Sequence, residues 1–264
     1  MKPKKHLMSN LLLIFLILIF FGIFVFSAFM LYGIFTDYRT ASNEYESLAE
    51  EMVISASESN GGQGKAVVKN DAGDVYVSPY EQVDMEELRG MNPDTVGWII
   101  LPESRINYPI VKSKDNKEYL KTTFEGKKAS SGAIFMEMYC EDDFSSRNTI
   151  IYGHNMKNGS MFRALNNMTD KEYFNEHRIF YMDTGNGFEE YEVISCYATV
   201  ETDLSSWKIS FEDKEEYEQW LKDISKRCSF DCAAYNVEKN TVTLSTCRGK
   251  SGGPGRFIVH LQKR

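Results

Sequence analysis

The sequence predicts a mainly β chain with helices, an α+β body built as an eight-stranded barrel and preceded by an N-terminal transmembrane helix and stalk. Three observations carry this. The 25 residues from Leu11 to Phe35 hold no ionisable side chain other than Tyr32. Beyond them, eight short runs rich in β-branched and aromatic residues follow one another, each bounded by turn residues. Only two helical stretches interrupt that series.

The apolar run LLLIFLILIFFGIFVFSAFMLYGIF is, at ~1.5 Å per residue, long enough to cross the ~30 Å hydrocarbon core of a bilayer. It exceeds the apolar region of a secretory signal, about 7–15 residues, and no convincing A-x-A cleavage site follows it, so it reads as an uncleaved anchor. No polar face appears in it, which excludes an amphipathic core helix. Lys2, Lys4 and Lys5 precede it and Asp37 follows. The positive-inside bias then puts residues 1–10 in the cytoplasm, residues 11–35 across the membrane and the remainder outside the cell.

Residues 36–82 read as a connector. Tyr38–Ser57 is rich in helix formers and weakly amphipathic, a stalk helix, and Ser57–Asp74 is a Gly-rich, polar, flexible spacer. The folded body, residues 83–264, starts near Val83 with a short helix in DMEELRGMNPDTVGW and a turn at Asn92-Pro93-Asp94. The expected strands are Val96–Leu101, Ile106–Lys112, Gly132–Glu137, Asn148–His154, Arg178–Asp183, Glu189–Glu201, Asn240–Cys247 and Arg256–Gln262. The two interrupting helices are Ser160–Leu165, extended through Asp170–Asn175, and Phe211–Cys228, which is acidic at its start and basic at its end as the helix dipole favours.

Charge narrows the function classes. The whole chain carries a net −8, and because its first 35 residues hold three Lys and no acid, the rest carries −11. Such a body lacks the basic face a nucleic-acid partner needs. The five cysteines (Cys140, Cys196, Cys228, Cys232, Cys247) form no CxxC pair and the four His are scattered, so no metal site is expected. An odd number of cysteines outside the cell leaves at least one thiol unpaired. Cys228 and Cys232 are close enough in sequence to pair, although spacing alone fixes no connectivity.

Candidate chemistry gathers around Cys247. It ends the strand Asn240–Cys247, where the chain enters the Gly-rich loop Arg248–Gly255, so its sulfur sits at a sheet rim. Strand alternation puts Thr243 and Ser245 on its face, and Arg248, Lys250 and Arg256 surround it with cations that favour the thiolate. His154 ends another strand and opens a loop. Arg256 begins the strand after Cys247, and a hairpin returns it beside the thiol. Together they supply a nucleophile, an acid/base and a fixed cation, the parts needed for acyl transfer through a thioester. STCRG faintly echoes the caspase box, but Gln-Ala is missing and the upstream His residues lie 93 and 70 positions away instead of about 50.

TLSTC at a strand end, Arg nine residues on and an upstream YGHN resemble the sortases, membrane-anchored cysteine transpeptidases of Gram-positive bacteria. MNPDTVGWIIL, INYPIV, KDNKEYL and the Phe211–Cys228 helix are similar to class B members, and the resemblance covers about two-thirds of the chain, Met85 to Arg264. It implies a sortase-like barrel and no cofactor. Carried over residue by residue, it implies Cys247 as nucleophile, His154 as the acid and then the base, and Arg256 as the group that binds substrate backbone or the oxyanion. Ser245 and Thr246 become candidate substrate contacts, and the loop Ala198–Ser210 a determinant of specificity. The implied partners are secreted proteins bearing a C-terminal NPxTN-, PPxTG- or LPxTG-like sorting signal, cut after Thr, and a peptidoglycan amine as acceptor. Pilin polymerisation is a variant of that chemistry. The alternative from another class is a non-catalytic, membrane-anchored binding module.

Overall fold

The computed structural model describes residues 4–55, 66–69, 75–249 and 252–264. Two compact units are present, residues 1–40 and 41–264. The first consists of the N-terminal part of helix α1 (Lys4–Met52), whose apolar side chains from Leu11 to Phe35 stand exposed. By length and composition this helix is able to cross a membrane.

The second unit is built on a closed barrel of β1 (Thr95–Ile100), β2 (Asn107–Val111), β3 (Ile134–Met136), β4 (Asn148–Tyr152), β5 (Ile179–Asp183), β6 (Phe188–Val200), β7 (Thr241–Cys247) and β8 (Gly255–Lys263). Around the barrel the order is β6-β8-β7-β4-β3-β2-β1-β5, closing back on β6. All eight expected strands are present, within a few residues at their ends. Closure leaves no edge strand with unpaired backbone groups. The β2–β3 and β4–β7 pairs are parallel and the others antiparallel. A parallel pair needs a long crossover, and the one from β2 to β3 carries a 3-10 turn, Glu118–Leu120, that becomes a wall of the cleft described below.

Helix α2 (Met85–Met91) is capped by Asp84, whose carboxylate accepts from the Glu87 N–H at 2.9 Å. The expected helix near Ser160 is a 3-10 segment, Phe162–Thr169, followed by α3 (Lys171–Glu176). Helix α4 (Lys214–Ser225) lies inside the expected Phe211–Cys228 span and is capped by Asp213. Its Tyr217, Trp220, Leu221 and Ile224, spaced i, i+3, i+4 and i+7, form one buried face against Ile194 and Tyr197 of β6 and Ile258 of β8.

The folded unit begins at Ala41 and not near Val83. The end of α1 is part of it: Ala41, Tyr45, Leu48 and Met52 make a buried stripe. Glu44, also buried, accepts hydrogen bonds from Thr123 Oγ1 and the Glu125 N–H, both at 2.9 Å. Helix α1 ends at Met52, and Val53–Ser55 then pairs antiparallel with Tyr80–Val83. Within the expected spacer, Ala66–Lys69 pairs with Val75–Ser78. The rest of that spacer lies outside the described residues.

Tyr45 fixes this attachment. Its hydroxyl donates to the Gly132 carbonyl at 2.8 Å and accepts from the Phe124 N–H at 3.2 Å, while its ring meets Tyr108 edge-on. Tyr45→Phe keeps the ring but strands two buried backbone groups. It is expected to destabilise the barrel unit by about 1–3 kcal/mol, read as a lowered urea midpoint.

Candidate active site

Cys247 and Arg256 are cross-strand partners at the loop end of the β7–β8 hairpin. The guanidinium of Arg256 is held on two sides. Nη1 donates to the carbonyls of Gly253 and Gly255, both at 2.8 Å, and Nη2 pairs with Glu201 Oε2 at 2.5 Å. Glu201 follows β6, where Thr199 is the register partner of Arg256, and its own N–H donates to the Pro254 carbonyl. Three strands therefore converge on this one cation.

The parallel pairing of β4 with β7 brings in His154. Tyr152 lies opposite Ser245, and the Gly153 N–H continues the ladder to the Ser245 carbonyl at 3.2 Å. Two residues on from that register pair, the strands deliver His154 and Cys247 to the same end of the barrel. Gly153 is required for the approach, because a Cβ there would stand 2.5 Å from Ile134 and 2.6 Å from Phe162.

His154 Nε2 lies 2.9 Å from the Leu120 carbonyl oxygen. That oxygen only accepts, so Nε2 carries the proton and Nδ1 is the nitrogen available for proton exchange. The Leu120 carbonyl belongs to the 3-10 turn, just ahead of which Asp115 accepts from the N–H groups of Lys117 and Glu118. These two bonds hold the Asp115 carboxyl below its usual pKa. Asn155, next to His154, donates to the Cys247 carbonyl at 2.9 Å. Asn166 donates to the same carbonyl at 3.3 Å.

These groups line a cleft of about 440 Å³. Ser245, Thr246 and Cys247 of β7 line it together with Leu120, Leu204 and Trp207. The Ser245 hydroxyl accepts from Trp207 Nε1 at 3.2 Å, whereas Thr246 is 2% exposed and its hydroxyl finds no partner among the described residues. Beneath one wall, Tyr152 donates to Glu137 at 2.8 Å and Asn116 donates to the other Glu137 oxygen at 2.6 Å. Burial and the Glu137 charge push the Tyr152 hydroxyl well above its usual pKa, so it stays a donor.

The wall between Glu201 and Trp207 is itself braced. Asp203 accepts from Thr199, Ser205, Ser206 and Arg227. Burial favours the neutral acid, but these bonds outweigh it and keep Asp203 ionised well below the usual carboxylate range. A second cavity, of about 280 Å³ beside Tyr45 and Tyr108, contains no cysteine or histidine. Cys140 is buried against β4, and its thiol is pushed up to about 11, chiefly by desolvation.

All five expected site residues thus meet in one cleft. Sequence reasoning missed the Leu120 carbonyl, Asn166, Glu201 and Trp207. The last two fall in the loop Ala198–Ser210, singled out beforehand, and Leu120 in the KDNKEYL string. Asn166 carried no signal.

Fold and cleft together bring a thiol, an imidazole and a guanidinium to the rim of a closed β-barrel. The Sortase domain model matches residues 99–264, and the chain belongs to the sortase family of cysteine transpeptidases. It is 30% identical over 261 residues to sortase B of Listeria monocytogenes, spanning 98% of this chain and 97% of that protein. A Staphylococcus aureus sortase B–substrate complex superposes with a TM-score of 0.64 at 30% identity, covering 68% of this chain and 83% of the other. A sortase B complexed with triglycine superposes equally well, at 0.64 and 30% identity, over 68% and 84% of the two chains. These likenesses place the chain with the class B enzymes.

Proposed function

We propose that the chain cuts a C-terminal sorting signal after Thr and passes the acyl group to a peptidoglycan amine, with Cys247, His154 and Arg256 as the reacting set. The observation that carries this reading is the convergence of β4, β7 and β8 on one cleft that holds thiol, imidazole and guanidinium together. Cys247 Sγ attacks the carbonyl that follows the signal's Thr side chain, and the negative charge moves to the carbonyl oxygen. Arg256 is always protonated and acts there as a charge and donor, never as a base. His154 then protonates the departing amine as the C–N bond breaks, leaving a thioester on Cys247. It next takes a proton from the incoming amine, whose nitrogen displaces sulfur and closes the new amide. Ser245 and Thr246 are the candidate contacts for the peptide, a reading supported by their place in the cleft lining.

The substrate-bound and triglycine-bound relatives support a signal peptide and a glycine-like amine as the two reactants. The lysines before the apolar run and Asp37 after it support a cytoplasmic N-terminus and a barrel outside the membrane. There residues 36–40 connect the anchor at residues 11–35 to an enzyme body that begins at Ala41, so that the end of α1 belongs to the body.

The direct test incubates the full chain in detergent micelles with NPxTN, PPxTG and LPxTG peptides, with and without triglycine, and reads products by mass spectrometry. Cleavage of one signal after Thr, diverted from acid to amide by the added amine, is expected. Absence of any cleavage by the folded protein would remove the reading. Arg256→Lys retains charge but loses the fork that spans two carbonyls and Glu201. It is expected to lower kcat/KM about 10²-fold while the melting temperature moves little.

A further inference from the structure

Outside the cleft, three thiols meet where the chain leaves α4. Cys228 Sγ lies 2.6 Å from Cys232 Sγ and 3.8 Å from Cys196 Sγ. Cys196 sits in the wall of β6 and is 4% exposed, whereas Cys228 and Cys232 are half-buried and reachable from solvent. None of the three lines the cleft, and the acyl transfer has no use for them. Two sulfurs four residues apart, in contact and accessible, are the geometry of an oxidisable pair.

We propose that Cys228 and Cys232 are a disulfide site, closed by oxidation after the chain has folded, with Cys196 kept as a thiol behind them. The backbone between them is already turned: the Cys232 N–H donates to the Phe230 carbonyl at 3.0 Å, and Phe230 is pinned by stacking on Phe174. The next residue, Ala233, is tied to β6 through the Val193 carbonyl at 3.1 Å. Closing the bond therefore needs no rearrangement of the loop. Cys196 is the poorer partner. It is buried in the strand, and its contacts with Cys228 and Cys232, together with desolvation, hold it strongly in the thiol form.

In the reaction the Cys228 and Cys232 thiols lose two protons and two electrons and form one S–S bond. The electrons pass to the disulfide of an exchange partner, a small-molecule disulfide or an extracytoplasmic thiol oxidoreductase, which leaves as two thiols. An oxidising exterior supplies such partners, and only this choice of oxidant rests on the outward placement proposed above. The bond would fix the turn that carries Arg227. That side chain lies over the Tyr197 ring at 4.0 Å and reaches Asp203 and Ser206 in the braced wall of the cleft.

The test uses purified full chain in detergent, independent of any peptide substrate. After equilibration with oxidised glutathione, free thiols are alkylated and the chain is cut before Asp231, between the two cysteines. The expected result is that Cys228 and Cys232 escape alkylation, with a mass loss of about 2 Da at the pair and their fragments joined until a reductant is added. Oxidation should also raise the melting temperature by about 4 °C, a shift absent from Cys232→Ser. Full alkylation of Cys228 and Cys232 after oxidation, or a bond mapped from Cys196 to Cys228, would overturn the proposal.

Discussion

Cys247→Ala is expected to lower turnover of the cleaved peptide by at least ~10⁴-fold while leaving the melting temperature unchanged. The side chain is half-buried at the end of β7, and what anchors the strand end there is its backbone. The Cys247 carbonyl accepts from Asn155 and Asn166, and both bonds survive in alanine. His154→Ala should cost nearly as much, because without the imidazole the departing amine has no proton donor. The double variant should then be little worse than Cys247→Ala alone, since the two groups act as one unit. Steady-state kinetics of the three variants checks this. Losses that multiply would mean that His154 serves some step other than the one Cys247 begins.

Mild acid is expected to destabilise the barrel unit, through a histidine outside the cleft. His260 on β8 is fully buried, with Nε2 2.9 Å from the Tyr197 hydroxyl and Nδ1 2.8 Å from Thr243 Oγ1. Desolvation, reinforced by nearby Arg227 and only partly offset by Asp203, pushes its pKa down to about 3. The unfolded chain takes up this proton near pH 6.5, and the folded chain refuses it until about pH 3. Between those values the unfolded state binds more protons, so stability is full above pH 6.5 and falls as the pH drops. By pH 4.5 the loss from this group is about 3 kcal/mol, at ~1.4 kcal/mol per unit. Asp203, whose carboxyl is held low, adds its own loss in the same direction only below the usual carboxylate range. Urea midpoints at pH 7 and 4.5 should therefore differ strongly in the natural chain and much less in His260→Asn. Equal pH dependence in both would show that another group carries the effect.

The barrel was legible because each strand has a local signature. TVTLSTC alternates, and INYPIV and NTIIY are β-branched runs closed by turn residues. The start of the folded unit was not legible. Ala41, Tyr45, Leu48 and Met52 form a narrow stripe broken by Glu44, which looks like a polar stalk. Its partners, Thr123 and Gly132, lie about eighty residues away and leave no trace in the helix itself. The site divides in the same way. Cys247 and Arg256 come together through a hairpin, whose geometry is local. His154 arrives through the parallel β4–β7 pair, which no local pattern announces: its strand-end position made it a candidate, and the family motif paired it with Cys247. The group that orients His154 is a backbone carbonyl, that of Leu120, and a carbonyl has no residue type to read. Glu201 is one acid among 38 acidic residues, and only the fold selects it as the partner of Arg256.

The most direct measurement is the intact mass of the full chain during turnover, with acid quenching within the first catalytic cycles and no amine present. The prediction is an adduct equal to the signal peptide's N-terminal part up to Thr, mapped to Cys247, hydroxylamine-labile, and discharged when triglycine is added. Cleaved peptide with no adduct on Cys247 under those conditions, or an adduct that triglycine fails to discharge, would contradict the thioester route.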